Sequence, residues 1–259
     1  MIPVHVISLR GSQSRRDLIR SQLEPLGITF RFFDAVDGRA LSASELSNLA
    51  PKGGVHYSGM LTTRELACAL SHLAVIDKIA ESEADYAAVF EDDISVFPSL
   101  VKFLDEQFLR TLPIFDILQL GPENFRSARM ELRVGQVDGH QFWALPTPRH
   151  FSMYSLIYTR EAARRIVAAQ SKVTAPIDNM IFKDARALGL KIISLRPSVA
   201  KHQDLPSDIG GRPLVNGILN KAGRELRRFS SWCRRWRRFA SAWGVQGLAG
   251  LRLRRSLRG

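Results

Sequence analysis

Residues 4 to 33 read as strand, helix, strand, and that order confines the chain to a small set of folds. Val4-His5-Val6-Ile7-Ser8-Leu9 is a short apolar run suited to a buried strand. Ser14 to Leu26 follows with Leu18, Ile19, Gln22 and Leu23 at near-helical spacing, and Gly27 marks its end. Ile28 to Phe33 then returns as a strand. Two strands joined by a helix lie parallel in one sheet, so the expectation is an α/β fold with a mostly parallel central sheet.

The same logic extends along the chain. A long helix is expected from Thr63 to Glu81, with Leu66, Leu70, Leu73, Ile76 and Ile79 on its apolar side and Thr62 or Thr63 as N-cap. Further helices are expected at Pro98 to Leu109, Arg160 to Ala169 and Ile177 to Leu188, the last stopped by Gly189. Strands are expected at Phe115 to Leu120, Gln141 to Leu145, Met153 to Tyr158 and Leu190 to Leu195. Residues 39 to 61, with Pro51, Gly53, Gly54 and Gly59, read as a loop holding a short helix around Ser42 to Leu49.

Chemistry concentrates after Asp85-Tyr86-Ala87-Ala88-Val89-Phe90, a strand-like segment that closes on Glu91-Asp92-Asp93. Open α/β sheets bind ligands at the carboxyl ends of their strands, where clustered carboxylates can hold a divalent cation against a phosphate. A solvated acidic turn is the competing meaning. Asp34 and Asp37 end the second strand, where they can meet ribose hydroxyls, with a turn role before Gly38 as the alternative for Asp37. Arg10 follows the first strand, within reach of a nucleotide, whereas Arg15 and Arg16 read as a solvated helix face.

The net charge of +12 is unevenly spread: Lys221 to Gly259 holds 12 Lys or Arg against one acid, Glu225, leaving 25 basic and 24 acidic groups in residues 1 to 220. A near-neutral body argues against a nucleic-acid enzyme. In the tail, Trp232, Trp236, Phe239 and Trp243 fall on one helical stripe with arginines on the other faces. Such a helix suits an anionic membrane interface, with nucleic acid or packing on protein as the alternatives. The two cysteines, Cys68 and Cys233, are too few for a disulfide framework, and reduced thiols in a cytoplasmic protein are expected. The apolar start is too short for a signal peptide, and no stretch has the length of a membrane span.

Several blocks, in order, resemble glycosyltransferase family 25, the group of bacterial lipooligosaccharide galactosyltransferases and related collagen-modifying enzymes. They are Val6-Ile7-Ser8-Leu9-Arg10 with Arg15-Arg16, Phe33-Asp34-Ala35-Val36-Asp37-Gly38, and Glu65-Leu66-Ala67-Cys68-Ala69-Leu70-Ser71-His72. Phe90-Glu91-Asp92-Asp93, Phe115 to Gly121, Pro176-Ile177-Asp178, and Gln203 with Ser207-Asp208-Ile209 complete the set, which covers about residues 3 to 210. One block departs: His150-Phe151-Ser152-Met153-Tyr154-Ser155 stands where a small Gly-rich, Ala-Tyr segment is expected.

The resemblance implies a GT-A type fold over residues 1 to 215, with 216 to 259 as a basic, aromatic-rich helical tail. It implies an inverting, Mn²⁺- or Mg²⁺-dependent transfer of a hexose, galactose from a UDP-sugar foremost, to a lipopolysaccharide-type or lipid-linked glycan. A membrane-bound tail would place such an enzyme on the cytoplasmic face of the inner membrane. Asp93 is the first metal ligand expected, Asp92 the next, and Glu91 faces outward or meets the ribose. His202 is either a further ligand or a surface-loop histidine. Asp178 is either the base for the acceptor hydroxyl or a helix cap. Glu65 and His72 share a helix face that can reach the donor, although a core histidine is the plainer meaning of His72. The competing function is an inactive homologue that binds membrane or nucleic acid through its tail.

Overall fold

The computed structural model describes residues 1–42, 61–121, 130–144, 151–169, 173, 175–203 and 251–253. The short helix expected around Ser42 to Leu49, and most of the basic tail, lie outside the described residues.

Eleven strands and six α-helices are described. In chain order the first half gives β1 (Val4–Ser8), α1 (Gln13–Leu23), β2 (Arg31–Asp34), α2 (Thr63–Glu81), β3 (Tyr86–Glu91), β4 (Ile94–Val96), α3 (Leu100–Phe103) and α4 (Glu106–Thr111). The second gives β5 (Ile117–Gln119), β6 (Met130–Val137), β7 (His140–Ala144), β8 (Ser155–Thr159), α5 (Arg160–Ala169), α6 (Ile177–Ala187), β9 (Ile192–Arg196), β10 (Ala200–His202) and β11 (Leu251–Leu253).

Nine strands form one sheet in the order β11-β6-β7-β9-β5-β8-β3-β1-β2. From β2 to β9 every strand points the same way except β8, which runs antiparallel to both β3 and β5. The expected α/β sheet of mostly like-directed strands is therefore present. Antiparallel β7, β6 and β11 extend it at the far edge. Residues 251–253 of the tail thus belong to a strand on β6, where a helix was expected.

Helices cover both faces. On one face α2, α5 and α6 bury Ile76, Ile166 and Ile181 against Ala87, Val89, Ile117 and Leu156. On the other, α1, α3 and α4 bury Leu23, Phe103 and Leu109 against Ala88, Phe90, Leu118 and Ile157. Alternate residues of β3 thus enter opposite cores, which explains the unbroken apolar run of a strand buried on both sides.

Local chemistry explains the boundaries. α1 runs into a 3₁₀ turn, Glu24–Leu26, and Gly27 closes it at φ 69°, a left-handed conformation open to glycine. Thr62 caps α2 in a capping box: its side chain accepts from the Glu65 backbone N–H, and the Glu65 carboxylate accepts from that of Thr62. The helix expected from Pro98 to Leu109 is two short ones, because Asp105 turns extended and caps α4 through the Phe108 N–H.

Gly121, just past β5, allows a close approach. A Cβ there would run into the Ala200 carbonyl oxygen and lie 2.6 Å from the Tyr154 ring. Gly121→Ala is expected to cost about 1–3 kcal/mol, read as a lower urea midpoint. Gly11→Ala, where a Cβ meets none of the described residues within 4 Å, is expected to stay within about 0.5 kcal/mol.

Candidate active site

The site forms where β1, β2 and β3 end side by side. Register pairs Ser8 with Asp34 and Ile7 with Glu91, so the first residues beyond these strands share one rim. The acidic triplet turns the chain from β3 into β4, and β4 pairs antiparallel with β10, setting His202 opposite Ile94. That ladder, absent from the sequence expectations, brings His202 to the triplet. Gln203 reinforces it, donating its backbone N–H to the Asp93 carbonyl at 2.7 Å and its side-chain amide to the Ile94 carbonyl at 2.9 Å. From the other side Gln22 of α1 donates to the same Ile94 carbonyl and accepts from the Val96 N–H.

The three carboxylates have three different surroundings. Glu91 receives the buried His72 ring of α2 at 2.9 Å through Nε2. Burial disfavours charge on both groups, yet the Cys68 thiol and the Glu91 carboxylate raise the His72 pKa. His72 in turn lowers that of Glu91 against its burial.

Asp92 is buried and held by chain-internal groups. Ser8 Oγ donates to its Oδ2 at 2.6 Å, and Arg15 donates to its Oδ1 at 2.9 Å. Asp93 meets Arg15 and the His202 ring each at 3.4 Å through Oδ2. Its Oδ1 is buried and has no hydrogen-bond partner among the described residues. Burial, then the neighbouring Glu91 charge, push the Asp93 pKa up. Asp93 thus combines a buried orphan oxygen with an adjacent imidazole, a donor set that fits a divalent cation.

Arg15 and Arg16 correct the expectation of a solvated helix face, since their side chains are only 19% and 12% exposed. Arg15 bridges Asp92 and Asp93. Arg16 donates to the Ser8 carbonyl at 3.0 Å and pairs with Asp34, whose pKa its hydrogen bond lowers. One turn of α1 therefore supplies the cations for two strand ends.

Arg10 is exposed and meets Asp34 at 3.4 Å, so both face solvent on the rim. Asp37 sits in its turn with Arg39, which holds its pKa down at about 2. Glu65 is committed to the capping box of α2. Asp178 lies half-buried in the first turn of α6, where the Asn179 side-chain amide donates to it at 3.4 Å. Ser71, beside His72, accepts from the Val36 N–H at 2.9 Å and anchors the loop after β2 to α2.

Sequence reasoning missed Ser8, Arg15, Gln22 and Tyr154. Tyr154, in the divergent block, donates to the Gly121 carbonyl, and its ring packs edge-on to His202 with centroids 5.8 Å apart. Only the Ser8 position carried a local signal, a polar residue closing an apolar strand.

The sequence pattern described as glycosyltransferase family 25 (LPS biosynthesis protein) matches residues 1–181. A lacto-N-neotetraose biosynthesis glycosyltransferase, LgtB, from Neisseria gonorrhoeae is 26% identical over 88% of this chain and 84% of its own length. A probable inactive glycosyltransferase 25 family member 3 from Rattus norvegicus is 31% identical over 64% of this chain. A family 25 member from Aedes aegypti is 26% identical over 55% of it. These alignments span only 30% and 25% of the two animal proteins. Among solved structures, galactosyltransferase LgtC aligns over 89% of this chain and 95% of its own, at 12% identity and a TM-score of 0.41, too slight a likeness to bear on function.

Arg15→Ala is expected to lower unfolding free energy by about 1–3 kcal/mol in urea titrations, because it strips two largely buried carboxylates of their cation. Arg10→Ala, at an exposed pair, is expected to stay within about 0.5 kcal/mol. Equal effects would contradict the burial argument. With its strand-end carboxylates and its match over residues 1–181, the chain belongs to glycosyltransferase family 25.

Proposed function

We propose that this chain is a divalent-cation-dependent, inverting glycosyltransferase that moves a hexose, galactose from UDP-galactose foremost, onto a lipopolysaccharide-type glycan. The observation that carries the reading is Asp93, whose buried Oδ1 has no partner among the described residues while His202 stands at its other oxygen. Family membership and the bacterial relative named for lacto-N-neotetraose biosynthesis support the substrate class.

On this reading Asp93 and His202 hold Mn²⁺ or Mg²⁺, with Asp92 fixed behind them by Ser8 and Arg15. The cation would supply positive charge for the leaving diphosphate. Arg10 and Asp34, exposed on the same rim, bind the nucleotide through phosphate and ribose hydroxyls. Glu91 is oriented by His72 and sets the field beside Asp93. Asp178 accepts the proton of the acceptor hydroxyl as that oxygen attacks the anomeric carbon. The tail over residues 216–259 attaches the enzyme to the cytoplasmic face of an anionic membrane. Among the described residues no helix is long and apolar enough to cross one.

One observation favours a second reading, an inactive homologue that binds through its tail. Arg15 already places a cation against Asp92 and Asp93, and three of the matched relatives are called inactive or probably inactive. Hydrolysis and transfer assays over a panel of UDP-sugars separate the two. Turnover that requires Mn²⁺ or Mg²⁺ is expected, with Asp93→Ala abolishing it and Asp178→Asn lowering kcat by about 10²–10⁴. Folded protein without turnover of any donor would support the inactive reading. Turnover unchanged in Asp93→Ala would overturn the role of Asp93.

A further inference from the structure

One side-chain cluster beside the acidic turn has a chemistry that Mn²⁺ or Mg²⁺ does not call for. Cys68 and His72 stand four residues apart on α2, so both project from one helix face. That face meets the end of β3 at Glu91. A sulfur, an imidazole nitrogen and a carboxylate oxygen from these three residues all lie within 4.8 Å of one another. Tetrahedral zinc holds such donors at about 2.0–2.3 Å, which separates them by roughly 3.5 Å, so small side-chain adjustments suffice.

His72 supplies the second observation. It is 1% exposed, and among the described residues its Nδ1 has no hydrogen-bond partner. Its other nitrogen meets Glu91 at 2.9 Å, a hydrogen bond in which a metal ion can take the place of the proton. The nitrogen that faces Glu91 is Nε2, so that is the ring atom a metal shared with the carboxylate would take.

We propose that Cys68, His72 and Glu91 bind one zinc ion, or another thiolate-preferring divalent metal, at a site distinct from the Asp93 centre. Thiolate with imidazole selects zinc-class metals, whereas Mn²⁺ and Mg²⁺ select oxygen donors. Cys68 and Glu91 are each partly exposed, which leaves a side open for water as a fourth ligand. The ion pins α2 to the end of β3 and neutralises Glu91 beside Asp93. Its existence does not depend on the transferase reading.

Cobalt(II) is the probe, because a cysteine ligand gives it a thiolate-to-metal charge-transfer band. The full-length protein is stripped with EDTA, exchanged into metal-free buffer, titrated with Co²⁺, and then titrated with Zn²⁺ in competition. The expected result is a band that saturates at one equivalent and is erased by Zn²⁺. Cys68→Ser is expected to lose the band while keeping the circular dichroism of the folded protein, and Cys233→Ser to keep the band. Glu91→Gln is expected to weaken Co²⁺ binding roughly tenfold or more. Asp93→Ala is expected to retain the band, which keeps this site's test separate from that of the proposed activity. Absence of the band in folded wild-type protein would overturn the proposal. Its persistence in Cys68→Ser, or its loss in Cys233→Ser, would do the same.

Discussion

Three consecutive carboxylates at the end of a buried strand repel one another, and the elements packed around the end of β3 supply each with partners, Arg15 being shared by two of them. Glu91 has the His72 ring of α2, Asp92 has the Ser8 hydroxyl of β1 and the Arg15 guanidinium of α1, and Asp93 has Arg15 and the His202 ring of β10. Four elements, from β1 to β10, converge on three residues. Concentrated charge of this kind is tolerated in a protein interior only when it is paired or put to use. Among the described residues the compensation is complete at Asp92 and incomplete at Asp93, where Oδ1 is buried without a partner.

Much of the frame was legible in the sequence, because it follows from periodicity and punctuation. The β1-α1-β2 order, the cap at Thr62 and the stop at Gly27 are set by residues within a turn of one another. What escaped depends on pairing across the chain. β4 and β10 are three-residue strands that exist through each other, some hundred residues apart, and carry no pattern of their own. Antiparallel β8 was likewise expected only as one more strand, since an insertion between β3 and β5 leaves no local mark.

The site residues divide along the same line. Asp92, Asp93, Glu91 and Asp34 were legible because a carboxylate after an apolar strand falls on the ligand-binding rim of an α/β sheet. The partners were not. Arg15 looks like any basic residue on a helix surface until the acidic turn folds over it. Glu65 and His72 shared a helix face in the sequence, but the structure divides them: Glu65 satisfies the backbone of α2, and His72 reaches the triplet. Tyr154 sits in the block that departs from the family pattern, yet its contacts with Gly121 and His202 tie that block to the site rim.

Arg15 and a metal ion are alternative ways of placing positive charge against Asp93, and the account rests on the ion doing so when a nucleotide diphosphate is present. A crystal of the full chain grown with UDP and Mn²⁺, measured at a wavelength where manganese scatters anomalously, tests this most directly. The account predicts an anomalous peak between the Asp93 carboxylate and the diphosphate, with Arg15 still on Asp92. A bound diphosphate contacting Arg15 with no anomalous peak at Asp93 would contradict it.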